Sequence, residues 1–461
     1  MGKFIERFAI LERGKAVRNT FRGGVYPAGQ KEASRNSPLR VFDARGKMAY
    51  PLAQHIGKPA KAVVQPGDRV LVGQLIAQAD GFVSANIVSG CSGKTKGIER
   101  RGTLSGAVQD CVIIENDGKY TPLARWDVRA ELSMLSNGDI LERVKAAGIV
   151  GLGGAGFPTH VKLQPKDPAA IRYVIANGAE CEPYLSGNDR LMRERPEEIL
   201  DGLAVILRLF SNAQGVVAIE ENKPEAIEAM RQAAQGKERV QILEMKTKYP
   251  QGGERSLIQA ITGIDFPITK LPADAGCIVD NVGTIYAVGK AVLYGEPLFS
   301  HVLTVSSDAV KEPCNLIVRE GTSFAELLEA AGGLKKGVAL KKALAGGPMM
   351  GFALENLDVP VQKSSNGFIL LAEDESAKAR KQLTACLRCG RCAAACPTGL
   401  MPLRMADAAE REDWERYEKL YGLECISCGS CSYICPAKRP LTQTFKEAKA
   451  EIMARRRAAG R

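Results

Sequence analysis

Eight of the chain's 13 cysteines fall within residues 386–435, in two runs of identical spacing. Cys386, Cys389, Cys392 and Cys396 follow C-x2-C-x2-C-x3-C and precede Pro397; Cys425, Cys428, Cys431 and Cys435 repeat the pattern before Pro436. Three thiolates at two-residue gaps can surround one face of an iron–sulfur cubane. The fourth is expected to open a helix that points away from the first three, with the proline in its first turn. Zinc knuckles favour two separated C-x2-C pairs without the terminal proline, so zinc fits the spacing poorly. Clustered cysteines of this kind belong to metal sites in a reducing compartment rather than to disulfides. Cys91, Cys111, Cys181, Cys277 and Cys314 have no ligand spacing and read as packing residues.

A second constellation is Gly151-Leu-Gly153-Gly154-Ala-Gly156, which satisfies G-x-G-x-x-G. The dinucleotide fingerprint needs a strand before the loop, but residues 140–147 read as a helix through Ile140, Leu141 and Val144. This is not an ordinary Rossmann loop. Glycines still permit close backbone approach and N–H groups that cradle phosphate. Phe157, Thr159 and Lys162 follow with a ring, a hydroxyl and a cation. On spacing alone a tight turn and a phosphate cradle are equally compatible.

Positioning these groups takes several elements. At 461 residues, 45% hydrophobic and 25% charged, the chain is an ordinary globular protein of about three domains rather than a disordered or fibrous one. No apolar run reaches the ~20 residues of a membrane span, and residues 1–10 lack the apolar core of a secretory signal, so a cytoplasmic protein able to sit on a membrane surface is expected. The formal charge is +11, of which residues 446–461 contribute +4 through Lys446, Lys449, Arg455, Arg456, Arg457 and Arg461 against Glu447 and Glu451. Such an end suits an acidic partner, anionic lipid or nucleic acid, or is simply a solvated helix end.

The expected organisation is multidomain α/β. A basic, irregular arm (1–49) contains FRGGVYP, and short glycine-broken strands follow over 50–125. Residues 135–295 alternate strands and helices, with strands at 172–177, 216–220 and 240–245 separated by helices over 197–210 and 224–235, then a helix over 285–294. This βαβαβ pattern implies a parallel sheet. A small α+β module covers 296–372, and helical residues 376–461 carry the cysteine motifs.

The two cysteine runs resemble two-cluster ferredoxin modules, in which the fourth cysteine of each run serves the other cluster. That resemblance implies one [4Fe–4S] cluster on Cys386, Cys389, Cys392 and Cys435, and another on Cys396, Cys425, Cys428 and Cys431. The stretch PLAQHIGKPAKAVVQPGDRVLVGQLIA resembles the barrel-sandwich hybrid of lipoyl and biotinyl domains, but residues 84–90 offer no modifiable lysine, so a carrier role is not expected. GLGGAGFPTHVK is similar to the flavin and NADH loop of the complex I flavoprotein family. With FRGGVYP, PLAQHIG, IANGAECEPY, TKYPQGGERSLIQAITG, DNVGT, AGGPMMG and both cysteine motifs, the order over roughly residues 20–440 resembles the C subunits of Rnf electron-transport complexes.

This resemblance implies a Rossmann-like FMN/NADH domain at 135–295, a soluble-ligand-binding β-grasp module at 296–372 and a ferredoxin-type domain at 376–461. Gly151, Gly153, Gly154 and Gly156 would face FMN phosphate and ribityl, Phe157 would stack on the flavin–nicotinamide pair, and Lys162 would bind phosphate or NADH. Asn177, Glu180, Tyr249, Gly252, Glu254, Asn281 and Thr284 would complete the flavin site. Ala179 stands where complex I relatives carry aspartate, and Gly283 where a relative has glutamate. The implied role is a peripheral component on the cytoplasmic face of the membrane. It would move electrons between NAD(H) and ferredoxin through FMN and two clusters, with other subunits of an ion-translocating complex as partners and no nucleic acid. No catalytic acid, base or nucleophile is required. The alternative with the same fold is a cobalamin reductase, which resembles this chain less before the glycine loop and lacks the GGVYP arm.

Overall fold

The computed structural model describes residues 19–267 and 269–458. Residues 1–18 of the arm and Arg461 of the tail, both part of the sequence reading, lie outside it. Four parallel strands carry the central domain, in the order Val240–Met245, Gln214–Glu220, Tyr173–Asn177, Cys277–Asn281. The two middle strands are buried almost throughout, as expected for a parallel sheet covered on both faces. The strand Cys277–Asn281 has no counterpart in the sequence reading. It is five residues long and runs straight into the helix Val282–Tyr294. That helix begins three residues earlier than the periodicity suggests, because Asn281 caps it by accepting from Gly283 N–H.

Helix Pro196–Leu209 starts with proline at its first turn and glutamates at 197 and 198, which suit the positive helix end. It crosses Val282–Tyr294 with backbones in contact: a Cβ built on Gly202 would sit 1.9 Å from the Ile285 carbonyl oxygen, and one on Gly289 3.0 Å from Gly202. Gly202→Ala should therefore cost about 2–3 kcal/mol, read as a lower denaturation midpoint of the central domain.

The arm is less irregular than its composition suggests. Leu39–Phe42 adds an edge strand to the six-stranded sheet of the β-grasp module, in parallel with Cys314–Arg319. Lys47–Pro51 pairs with Val108–Asn116 in the barrel-sandwich domain. Both pairings span large sequence separations, which local patterning does not report. In the C-terminal domain, helices Pro402–Glu410 and Leu441–Ala458 pack around Met405, Tyr417 and Phe445. The basic end folds back on itself: Arg455 pairs with Glu451 and lies over Trp414, Arg456 pairs with Glu418, and Lys449 donates to the Cys425 carbonyl.

Candidate flavin pocket and iron–sulfur cavities

The motif cysteines divide between two cavities, and the division crosses the motifs. Cys386, Cys389, Cys392 and Cys435 line one of about 410 Å³ including its open mouth. Cys396, Cys425, Cys428 and Cys431 line the other, about 340 Å³. The two motifs share one backbone pattern. Arg388 and Gly390 after Cys386 have φ of 53° and 74°; Ser427 and Gly429 after Cys425 have 54° and 86°. These left-handed residues curl each loop so that its N–H groups turn inward: Arg388 N donates to Cys386 Sγ at 3.4 Å, and Ser427 N to Cys425 Sγ at 3.4 Å.

One local expectation is corrected. Cys396 does not open a helix with Pro397 in its first turn. A short helix, Arg391–Ala394, precedes it, and the next begins at Pro402. Between them Gly399, with φ 70°, makes a turn that sends Leu400 N back to Cys396 Sγ at 3.3 Å. The direction change is thus made by a turn rather than a helix.

The donor chemistry fits clusters. Each cavity presents four thiols around a volume, as a cubane with one thiolate per iron requires, whereas no three His, Cys, Asp or Glu among the described residues gather tightly enough for a single ion. Burial pushes the Cys431 thiol up to about 12 and raises Cys425 and Cys428, so loading this cavity must displace protons. Cys386 and Cys389 are exposed, while Cys396, Cys428 and Cys431 are buried.

The glycine loop closes on itself through Gly151 N–H to the Phe157 carbonyl at 2.9 Å, with Gly153 and Gly156 at φ 69° and 68°. Thr284, fully buried, accepts from Leu152 N–H at 2.9 Å and so sets the loop's height over the start of Val282–Tyr294. That helix terminus suits an anion. Gly154 faces open space. A Cβ on Gly153 would lie 3.2 Å from Asn366 Nδ2 and 3.8 Å from Asn281 Nδ2, so both amides look at the loop. Asn177 Nδ2 donates to the Gly252 carbonyl at 2.9 Å, and a Cβ on Gly252 would meet Cys181, Ala179 and Asn177 at ordinary contact distances of 3.4 to 3.6 Å. Residues 151–156, 177–181, 252 and 281–284 therefore converge, and the glycines leave backbone exposed where a flat ring and a phosphate need close approach. The residues present fit FMN. Thr284→Val should leave the Leu152 N–H without its acceptor and weaken flavin retention roughly tenfold, measured by equilibrium dialysis.

Other residues of the sequence reading have partners within the protein. Lys162 donates to the Val279 carbonyl at 2.7 Å and pairs with Asp280 at 3.2 Å and Glu254 at 3.5 Å. Burial pulls its pKa down, but the two carboxylates outweigh that and leave it raised. Glu180, at φ 49°, accepts from Asn188 and Asp189 N–H, holding the start of Gly187–Glu194. Phe157 is half-buried at the end of the loop. Tyr249 is buried and turned toward the cluster cavity, its phenol donating to the Cys428 carbonyl at 2.7 Å.

Several residues that sequence reasoning missed belong to this region. The carboxylate of Glu182 accepts from Met349 and Met350 N–H, and burial pushes its pKa up to about 7. Buried Lys223 donates to the Ala179 carbonyl at 2.6 Å. Lys31 of the arm donates to the carbonyls of Glu180, Glu182 and Leu185. Cys181 accepts from Gly252 N–H at 3.4 Å, while the other four non-motif cysteines are buried packing residues. Glu182, Cys181 and Ala179 all sit in IANGAECEPY, but what they touch comes from distant segments.

The chain matches the Nuo51 FMN-binding domain over residues 144–290, the RnfC barrel sandwich hybrid domain over 19–119, the SLBB domain over 302–353 and a 4Fe-4S dicluster domain over 378–436. It is 41% identical over 442 residues to the C subunit of the proton-translocating ferredoxin:NAD(+) oxidoreductase complex of Clostridium ljungdahlii, covering 96% of this chain and 95% of that one. It is 39% identical over 438 residues to the C subunit of the Na(+)-translocating ferredoxin:NAD(+) oxidoreductase complex of Acetobacterium woodii, covering 95% and 98%. A solved NAD+-reducing [NiFe]-hydrogenase in the H2-reduced state superposes with a TM-score of 0.47 at 22% identity, over 72% of this chain and 68% of that one. On cysteine spacing, flavin-type pocket and relatedness along nearly its whole length, the chain belongs to the C-subunit family of Rnf-type ion-translocating oxidoreductase complexes.

Proposed function

We propose that this chain is the electron-transfer subunit of an ion-translocating ferredoxin:NAD oxidoreductase complex, and that it works peripherally on the cytoplasmic face of the membrane. The observation that carries the reading is the coexistence in one chain of a glycine loop held over a helix N-terminus and two four-thiol cavities. FMN, when bound, supplies the exchange between a two-electron hydride and single electrons, which the clusters carry. Residues 151–156 take the phosphate end, with Thr284 and Asn281 holding the loop and the helix start. Asn177, Ala179 and Gly252 shape the ring side, and Phe157 covers it. Lys162 and Glu180 act by fixing the surrounding backbone, and Glu254 by pairing with Lys162, rather than by offering free charge. Cluster ligation follows the cavities, with Cys435 serving the first motif and Cys396 the second.

Partners are the complex's other subunits, ferredoxin and NAD(H). Among the described residues no helix is long and apolar enough to cross a membrane, and ion translocation is assigned to other subunits. Anaerobic purification followed by iron, sulfide and flavin analysis tests the cofactor content. About eight irons and eight sulfides with one FMN per chain are expected; iron without flavin would contradict the reading.

A further inference from the structure

We infer that the FRGGVYP arm is a clamp that holds the cavity of Cys396, Cys425, Cys428 and Cys431 against the flavin pocket, making this cluster the flavin's direct electron partner. The inference rests on the function proposed above and adds to it the order of the clusters and the element that fixes that order. Gly23 and Gly24 are both left-handed, with φ of 74° and 83°. A Cβ on Gly23 would lie 2.5 Å from the Cys396 carbonyl oxygen, and one on Gly24 2.7 Å from the Tyr249 carbonyl oxygen. The double glycine is thus pressed between a cluster ligand on one side and a flavin-domain segment on the other, and neither position has room for a side chain.

Directional bonds complete the sandwich. Gly24 N–H donates to the Ala395 carbonyl at 2.8 Å. Val25 and Tyr249 exchange both backbone bonds, at 2.8 and 2.9 Å. Tyr249 then reaches through with its phenol to the Cys428 carbonyl at 2.7 Å. The carbonyls of Cys428 and of Ala395, the residue before Cys396, are therefore bonded to the flavin domain and to the arm respectively. On the flavin side Lys31 of the same arm holds the carbonyls of Glu180 and Glu182, in the loop that faces the flavin ring. Phe21 and Val25 are buried, and Lys248 donates to the Phe21 carbonyl at 2.9 Å while lying over its ring.

The other cavity differs. Its Cys386 and Cys389 are exposed, which suits the cluster that meets an outside partner. In this order NADH gives up a hydride and leaves as NAD+. With the groups bound, the site of Cys396, Cys425, Cys428 and Cys431 would take the flavin's two electrons singly and hand them to the site with exposed Cys386 and Cys389, one proton going to solvent. Electron transfer falls off steeply with distance, so a clamp that fixes the separation sets the rate without touching the hydride step.

The test uses the full chain, anaerobically reconstituted, with Gly24→Ala as the main variant and Phe21→Ala as a second that loosens the arm without inserting an atom. Iron and flavin content and the rate of flavin bleaching by NADH should match wild type in both. The rate of cluster reduction that follows should fall by about tenfold or more. In the chain without cofactors, hydrogen exchange should speed up at the backbone amides of Cys396 and Cys428. Cluster reduction at the wild-type rate despite faster exchange overturns the inference, and so does equal slowing of the flavin and cluster steps, which makes the arm a general folding element. A wild-type chain whose flavin NADH fails to bleach would instead defeat the functional reading beneath it.

Discussion

Cys396→Ser should alter the electron paramagnetic resonance signal that Cys425→Ser alters, and leave intact the signal sensitive to Cys386→Ser. The reason is geometric. Cys396 shares its cavity with Cys425, Cys428 and Cys431, although it lies in the other sequence motif. The turn after it, with Gly399 left-handed, brings the Leu400 N–H onto its sulfur and fixes the thiol in that direction. Cys435 does the same for the cavity of Cys386, Cys389 and Cys392. Serine is a harder and poorer ligand for iron, so iron should fall from about eight to between four and seven per chain, with one cluster signal untouched. The reciprocal Cys435→Ser should match Cys386→Ser. If each motif loaded a cluster of its own, Cys396→Ser would instead resemble Cys386→Ser.

The second large effect is expected at a buried lysine outside the proposed flavin and cluster ligands. Lys363 is fully buried and donates to the carbonyls of Asn86 in the barrel-sandwich domain and Gly148 just before the glycine loop, each at 2.6 Å. It thereby ties three modules together. Buried Glu320 is its electrostatic counterpart: burial raises the carboxyl's pKa to about 7, against the pull of Lys363. Lys363→Met strands two carbonyls and leaves Glu320 without a counter-charge. It should cost about 3–5 kcal/mol at pH 8, where Glu320 ionises, and less at pH 5, where the carboxyl is neutral. Because the folded pKa lies above the unfolded 4.5, the carboxyl's stabilising contribution is complete below pH 4.5 and is lost as pH rises to about 7. Wild type should therefore lose stability relative to Glu320→Gln across that window. Buried His301, held down at about 4, contributes the opposite slope and is common to both proteins, so the difference isolates Glu320. Denaturant midpoints at pH 5 and 8 check this. An equal loss from Lys363→Met at both pH values, unrelieved by adding Glu320→Gln, would contradict it.

What could be read from sequence was what is encoded locally. The resemblance of the two cysteine runs to two-cluster ferredoxins anticipated the crossed division of thiols between the two cavities. The helix Pro196–Leu209 and three of the four strands of the central sheet follow from periodicity and proline placement; Cys277–Asn281 does not. The glycine loop's neighbours were legible only through resemblance, and resemblance could not say what each side chain touches. Lys162 looks like a free phosphate ligand until Asp280 and Glu254, about a hundred residues away, are folded against it. Tyr249 lies in a flavin-type motif, yet its phenol bonds the carbonyl of Cys428, 179 residues away in sequence. The arm's composition reads as irregular; its strand at Leu39–Phe42 and its double glycine make sense only beside residues 315–318 and 395–396. The short helix Gly187–Glu194 also escaped notice, since it is started by Glu180 from outside rather than by a cap of its own.

Conversion of a hydride from NADH into single electrons on two clusters, all within this one chain, is open to direct measurement. The experiment is an anaerobic NADH titration of the reconstituted protein, followed by flavin absorbance and by electron paramagnetic resonance of frozen samples. Flavin bleaching should be accompanied by reduced-cluster signals, and the signal lost in Cys425→Ser should appear first. Bleaching of the flavin with both clusters left oxidised, at potentials where dithionite reduces them within the same protein, would contradict that conversion.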